Sequence, residues 1–213
     1  FAIWDSKQQR LVMAVDRFGK KPLYYAIFEE KLVFASELKS LLGFKWVDRT
    51  IDPDAIDRYL SLRYVPAPLS IFKGIRKLEP ATLMVWEKGE HRFCKYWEPS
   101  VLELQEYTPQ IREDFRNLMT DAVGLRMQSD VPLGLYLSGG VDSAVIGGVM
   151  QQLKTETLVS YTLGFDYDYD ERPRALKIAD FLGAESNCIS VTESDFDLWP
   201  ELVYHMDEPM GDL

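Results

Sequence analysis

The first hundred residues alternate short apolar runs with brief polar breaks, the rhythm of antiparallel strands and tight turns. Residues 1–4 and 11–15 flank a polar stretch and predict one hairpin, and residues 23–28 and 31–35 flank Glu29-Glu30 and predict a second. The segment 16–22, Asp-Arg-Phe-Gly-Lys-Lys-Pro, reads as the turn between them. Ser36 is placed as the N-cap of a short helix through Leu41-Leu42 that Gly43 stops. Asp52-Pro53 opens another helix with Ile56, Tyr59 and Leu60 on one face. A later hairpin runs from residues 82–86 across Lys88-Gly89 to residues 92–96.

Beyond about residue 108 the period changes. Thr108 is placed to cap a helix with Ile111, Phe115, Leu118, Met119, Ala122 and Val123 at helical spacing. Apolar runs at 131–137, 158–165 and 188–191 predict strands, and the stretches between them carry helical patterns. One of these holds Ala175, Ile178, Ala179, Phe181 and Leu182 and closes at Gly183; a last helix is predicted over 195–206. Strand, helix, strand, helix, strand implies a parallel sheet, with ligands beyond the carboxyl ends of its strands. The predicted fold class is α+β then α/β, an antiparallel unit at 1–99 followed by a parallel-sheet unit at 100–213.

Charge sharpens this division. The net charge is −10, but residues 1–99 hold 17 Lys and Arg against 13 Asp and Glu, while residues 100–213 hold 7 against 21. The break falls near 98–110, where Glu98-Pro99-Ser100 and Thr108-Pro109 punctuate the chain. An acidic chain without interleaved basic and aromatic residues argues against nucleic-acid binding. No run of eighteen apolar residues and no signal-peptide pattern occurs, so no membrane partner is expected and a cytoplasmic protein is. Cys94 and Cys188 match no metal spacing and read as two reduced thiols.

Candidate chemistry concentrates at Ser138-Gly139-Gly140-Val141-Asp142-Ser143, between the apolar run 131–137 and the helical pattern that follows. Two adjacent glycines let backbone N–H groups approach an anion. A helix starting near Val141 aims its orphan N–H groups and the positive end of its dipole at the same spot. Ser138 and Ser143 add hydroxyl donors. Asp142 would repel a phosphate, and its place makes sense if a divalent cation, best Mg2+, lies between the two. The motif is neither the Walker pattern, lacking Gly-Lys-Ser/Thr, nor the dinucleotide fingerprint, lacking G-x-G-x-x-G. A bare Gly-Gly is more often a turn; the whole hexapeptide at a strand-to-helix junction is the specific signal. One difficulty follows from the charge, because this half carries few cations to meet a triphosphate.

Ser-Gly-Gly-x-Asp-Ser resembles the loop of the ATP pyrophosphatase (PP-loop) enzymes, which split ATP between its α- and β-phosphates and so adenylate a substrate. The whole chain resembles the glutamine-dependent asparagine synthetases of the class B amidotransferase family. Phe1-Ala2-Ile3-Trp4-Asp5, the stretch from Asp16 to Tyr25, and Phe34-Ala35-Ser36-Glu37 are similar to the later part of that family's glutaminase domain. Tyr64-Val65-Pro66-Ala67-Pro68, Ile71-Phe72-Lys73-Gly74-Ile75 and Tyr96-Trp97 are similar to its end and the junction. Ser129-Asp130-Val131-Pro132, the loop at 138–143, Gly164-Phe165 and Asp207-Glu208-Pro209 are similar to its synthetase domain.

The resemblance implies the end of an αββα glutaminase domain followed by the start of a PP-loop domain. It implies that glutamine gives ammonia, which travels internally to a site where ATP has adenylated the side chain of aspartate; asparagine, AMP and pyrophosphate leave. Ser138, Gly139, Gly140, Val141, Asp142 and Ser143 carry over as ATP and pyrophosphate contacts, with Asp142 on Mg2+. Leu137, Leu163 and Gly164 fall where the family contacts ATP; for each leucine a plain core-strand role is equally open. Asp207 and Glu208 belong either to the synthetase site or to a solvated acidic helix end. The family's N-terminal cysteine nucleophile has no counterpart at Phe1, and its second Ser-Gly motif and catalytic lysine have none either. The expectation is therefore an internal fragment that does not hydrolyse glutamine or complete the reaction alone, and a homodimer is a possible assembly. Related amidotransferases and β-lactam synthetase-like enzymes with other carboxylate acceptors, or a non-catalytic nucleotide-binding module, remain as alternatives.

Other residues receive plainer readings. Tyr161 and Phe165 are expected in the core, and His91 and His205 outside any catalytic role. Asp166, Asp168, Asp170 and Glu171 read as a solvated loop rather than a metal site, with Glu171 a favourable charge at a helix start. Asp16 and Arg17 are expected to hold the β layers together.

Overall fold

The computed structural model describes residues 1–100, 106–154, 156–165, 170–209 and 211. The chain divides into two compact units: Phe1–Leu102 together with Leu198–Leu213, and Glu103–Asp197.

The first unit holds strands β1 (Ala2–Asp5), β2 (Arg10–Ala14), β3 (Tyr24–Phe28), β4 (Lys31–Ala35), β5 (Arg76–Lys77), β6 (Thr82–Glu87) and β7 (Glu90–Lys95). Its short helices are α1 (Leu38–Leu41) and α2 (Pro53–Leu62). All three predicted hairpins form, and the strands assemble as two antiparallel sheets ordered β1-β2-β6-β7 and β4-β3-β5. Alternation along β3 sets the layering. Tyr25 packs with Met13, Leu23, Leu78 and Met84 between the sheets, while Tyr24 and Ala26 pack with Leu38, Leu41 and Ile75 on the other side. The result is sheet on sheet with α1 outside.

One expectation fails here for an identifiable reason. α1 begins at Leu38 after Glu37, so Ser36 is not its cap, and Glu37 supplies no side-chain cap either. The cap comes from Asp207, far along the chain, whose carboxylate accepts the N–H groups of Leu38 (2.9 Å) and Lys39 (3.1 Å). α2 starts where Asp52-Pro53 predicts, and the Asp52 side chain caps it by accepting from the Asp54 N–H; Ala55 is its buried residue, and Ile56 and Leu60 are exposed.

In the second unit α3 (Pro109–Arg126) precedes β8 (Gly134–Tyr136), α4 (Val141–Leu153), β9 (Val159–Phe165), α5 (Arg172–Leu182) and β10 (Glu185–Val191). The three strands form a parallel sheet ordered β10-β9-β8. Thr108 caps α3 through the Ile111 N–H at 3.2 Å. Val123 of α3, Leu135, Leu137, Met150, Leu158, Ala175 and Ala179 make one core. Gly147 brings α4 close to the sheet: a Cβ there would lie 2.8 Å from Leu135 Cδ2 and 2.9 Å from Leu182 Cδ1.

The helix predicted over 195–206 divides into a 3-10 stretch (Glu193–Leu198) and α6 (Trp199–Met206), which belongs with the first unit. Pro200 explains the division, because its ring excludes the carbonyl four residues earlier from a continuing α-helix.

Candidate functional site

β8 delivers the chain to the loop through Leu137, which is 1% exposed. Its N–H donates to Tyr161 O at 2.9 Å and its carbonyl accepts from the Thr162 hydroxyl at 2.8 Å. Gly139 then takes φ +77°, a conformation that L side chains rarely adopt. A Cβ there would also lie 2.8 Å from Arg174 Cβ and 3.1 Å from the Ala175 nitrogen. Both constraints require glycine. Gly140 is the N-cap of α4 without a capping side chain, and its carbonyl accepts the Ala144 N–H at 3.1 Å. The preceding N–H groups, of Val141, Asp142 and Ser143, have no acceptor within the helix.

The two serines are tied together. Ser143 Oγ donates to Gly140 O (3.1 Å), accepts from the Ser138 N–H (3.4 Å) and lies 3.2 Å from Ser138 Oγ. Asp142, in the first turn of α4, is exposed. This arrangement can bind an anion through main-chain N–H groups and hydroxyls, with one free-standing carboxylate beside it for a cation. Among the described residues no group of three or more His, Cys, Asp or Glu is arranged to hold a metal ion. A cation held at Asp142 would have to take its remaining oxygens from a ligand and from water.

The end of β9 approaches the same place. Pairing with β8 stops at Tyr136 opposite Tyr161, two residues before Leu163. Leu163 is 51% exposed, so the two leucines differ: Leu137 puts its side chain in the core, and Leu163 does not. Gly164 lies under Arg172, where a Cβ would fall 2.1 Å from the arginine Cδ. Gly139 and Gly164 thus both press on the first turn of α5. Tyr161 and Phe165, expected in the core, are 41% and 37% exposed. Ser160 and Thr162 take the buried face instead.

Arg172 is the functional candidate that sequence reasoning missed. Its Nε reaches both Asp170 oxygens at 2.8–2.9 Å, a terminal nitrogen reaches Ser190 Oγ at 2.5 Å, and the other lies 3.5 Å from Phe165 O. It spans the carboxyl ends of β9 and β10. Desolvation pushes the Asp170 carboxyl up, but the hydrogen bonds and charge of Arg172 outweigh it and hold the group below its ordinary value. Asp170 is therefore an arginine partner. Glu171 is the N-cap residue of α5 but makes no side-chain cap hydrogen bond, and Asp166 and Asp168 lie outside the described residues. Position 172, just past Asp170-Glu171 at a helix start, was the available signal.

The remaining singled-out residues lie elsewhere. Asp207 and Glu208 belong to the first unit, where Asp207 caps α1 and Glu208 forms an ion pair with Lys77. They are not a solvated helix end. His91 stacks on Trp86, and His205 lies 3.8 Å from Glu201. Asp16 accepts three main-chain N–H groups of its own turn, and Arg17 sits over the Trp97 ring. Cys94 and Cys188 are exposed free thiols. No helix among the described residues is long and apolar enough to cross a membrane.

A mixed α/β chain with an antiparallel unit, a parallel unit and a glycine loop at a strand-to-helix junction defines a class, and comparison with known proteins narrows it. Residues 1–97 match the family model of the glutamine amidotransferase domain, and residues 114–213 that of asparagine synthase. A putative glutamine-hydrolysing asparagine synthetase of Methanocaldococcus jannaschii is 35% identical across 100% of this chain and 42% of its own length. Asparagine synthetase (glutamine-hydrolysing) 1 of Bacillus subtilis is 34% identical across 100% of this chain and 34% of its own. Amidase chyE of Penicillium rubens is 29% identical, again across 100% of this chain and 34% of its own length. The chain thus carries a match to each of two family models, glutamine amidotransferase and asparagine synthase, and is similar along its whole length to glutamine-hydrolysing asparagine synthetases. It spans less than half the length of these curated relatives.

Proposed function

We propose that the protein carrying this chain is an ATP-dependent ligase that amidates aspartate to asparagine with ammonia taken from glutamine. Residues 1–99 are assigned to the amidotransferase part, of αββα type, and residues 100–213 to the ATP pyrophosphatase part. The observation that carries the reading is the strand–loop–helix junction, where Gly139 at φ +77° brings main-chain N–H groups and the start of α4 together. Such a junction holds a phosphate chain by helix N–H groups and dipole.

The chemistry follows from the weakness of carboxylate as an electrophile. An oxygen of the aspartate side chain attacks the α-phosphorus of ATP, and pyrophosphate leaves. Ammonia then attacks the carbonyl carbon of the acyl adenylate; AMP leaves and the ammonia nitrogen loses a proton. The loop's task is to orient the β- and γ-phosphates and take up charge as pyrophosphate departs, through the N–H groups of residues 139–143 and the hydroxyls of Ser138 and Ser143. Asp142 is the residue that would hold Mg2+, which would supply further neutralisation of that charge. The backbone of Leu163 and Gly164 is assigned to the adenosine end, and Arg172 keeps the ends of β9 and β10 in place.

A second acceptor remains open because a relative named an amidase matches the same full span; the loop at 138–143 is compatible with another carboxylate acceptor. Calorimetry on the full-length protein tests the first reading. Asp142→Ala is expected to weaken Mg-ATP binding by at least about tenfold, roughly 1.4 kcal/mol, and unchanged affinity overturns it. Product analysis with aspartate against other carboxylates separates the two acceptor classes.

A further inference from the structure

The chain leaves the second unit near residue 197 and folds its last segment into the first. That segment lies in the stretch matching asparagine synthase, while the surface receiving it lies in the stretch matching the glutamine amidotransferase domain. The contact is made by two adjacent carboxylates. Asp207, left-handed at φ +67°, accepts the N–H groups of Leu38 and Lys39 and pairs with Lys39 Nζ at 3.1 Å. Lys39 Nζ also lies 3.1 Å from Glu37, donates to Tyr204 O at 3.3 Å and sits over the Tyr204 ring. Glu208 pairs with Lys77, which donates in turn to Val65 O. The two carboxylate side chains are only 8% and 12% exposed.

Burying paired charges is a poor route to stability, because desolvation cancels most of the attraction. It is a good route to register, since a displaced carboxylate is left buried without its partner. Here the pairs fix Asp207 on α1 and Glu208 beside β5, and so index one family-matched stretch against the other. We propose that Asp207 and Glu208 are positioning residues that couple the glutamine-using half of the reaction to the ATP-using half. This rests on the function proposed above.

The test uses the full-length protein, with amide formation measured separately from glutamine and from ammonium salts. Asp207→Asn and, as the milder and isosteric change, Glu208→Gln are each expected to lower kcat/KM for glutamine-dependent synthesis roughly five- to thirtyfold, the size of ordinary coupling energies. Ammonia-dependent kcat should change by less than about twofold, and glutamate released per product should rise, because an interaction outside the ATP site leaves its transition state alone. Lys77→Glu combined with Glu208→Lys should restore the glutamine-dependent rate. If both activities fall together, or the glutamate-to-product ratio stays at the unaltered protein's value, the coupling role is overturned while the ligase reading stands. If the unaltered protein makes no amide from ammonia and ATP, both are overturned.

Discussion

Single residues decide the loop at 138–143 and the helix that follows it, and the glycines there are not equivalent. Gly139 is required twice, by its left-handed backbone and by the approach of α5. Gly148, in the body of α4, has nothing within 4 Å of where a Cβ would stand. Gly139→Ala should therefore destabilise the second unit by about 1–3 kcal/mol, whereas Gly148→Ala should stabilise it by about 0.5–1 kcal/mol through helix propensity. Urea titration of the two variants checks the opposite signs. The pair Gly139-Gly140 was legible in the sequence because adjacent glycines at a strand-to-helix junction mark a backbone that side chains would obstruct; that α5 is what comes close to Gly139 was not legible. Which face of β9 is buried was not. The strand alternates, Val159, Tyr161, Leu163 and Phe165 against Ser160, Thr162 and Gly164, but hydropathy points the wrong way: the inward positions go to Ser160 and Thr162, whose hydroxyls find Glu185 O at 3.3 Å and Leu137 O at 2.8 Å. Those bonds offset the burial of the hydroxyls and leave Tyr161, Leu163 and Phe165 outward. A sequence reader weighing hydropathy alone reverses that strand.

At the scale of elements, local signals succeeded wherever the partner was local. The Asp52-Pro53 helix start, the Thr108 cap and the Lys88-Gly89 turn all involve groups a few residues apart. The cap of α1 spans 169 residues and could not be read from its own neighbourhood. Helical stripes mark an apolar face without saying what covers it, so Phe115 and Leu118 are exposed here although their spacing in α3 was recognised. The turn after β2 illustrates a local device with a pH signature. Asp16 accepts from the N–H groups of Phe18, Lys20 and Lys21 at 3.2, 3.0 and 2.9 Å. These bonds, that from Lys21 foremost, hold its carboxyl below the ordinary 3.8. A folded-state pKa below the unfolded value means that the stabilisation is complete above the unfolded pKa and is lost as pH falls through the folded one. NMR titration of the Asp16 carboxyl should give a midpoint below 3.8, and Asp16→Asn should flatten the acid limb of stability. A midpoint at or above the ordinary value would remove the turn's electrostatic role.

Across the whole molecule, chain order and compact units disagree. The first unit is closed by residues that follow the entire second unit in sequence. Its hairpins can form from local contacts, but the N–H groups of Leu38 and Lys39 wait for a carboxylate made about 170 residues later. The composition break near 98–110 showed that two units exist; it held no trace of the return, because residues 198–213 resemble their sequence neighbours in charge and period. Removing the returning carboxylate should thus injure a unit distant in sequence and spare the adjacent one. Asp207→Ala leaves the N–H groups of Leu38 and Lys39 without their acceptor and removes one of the two carboxylates paired with the Lys39 ammonium, a loss of about 1–2 kcal/mol on the scale of helix caps. For a domain near 100 residues that corresponds to a fall of roughly 5–15 °C in melting temperature. Hydrogen exchange resolved by segment, followed through thermal unfolding, should show β3, β4 and α1 opening earlier while β8, β9 and β10 keep their protection. Equal loss of protection in both sets of strands would mean that the two units unfold as one cooperative body and that the cap serves the whole chain rather than the unit it closes.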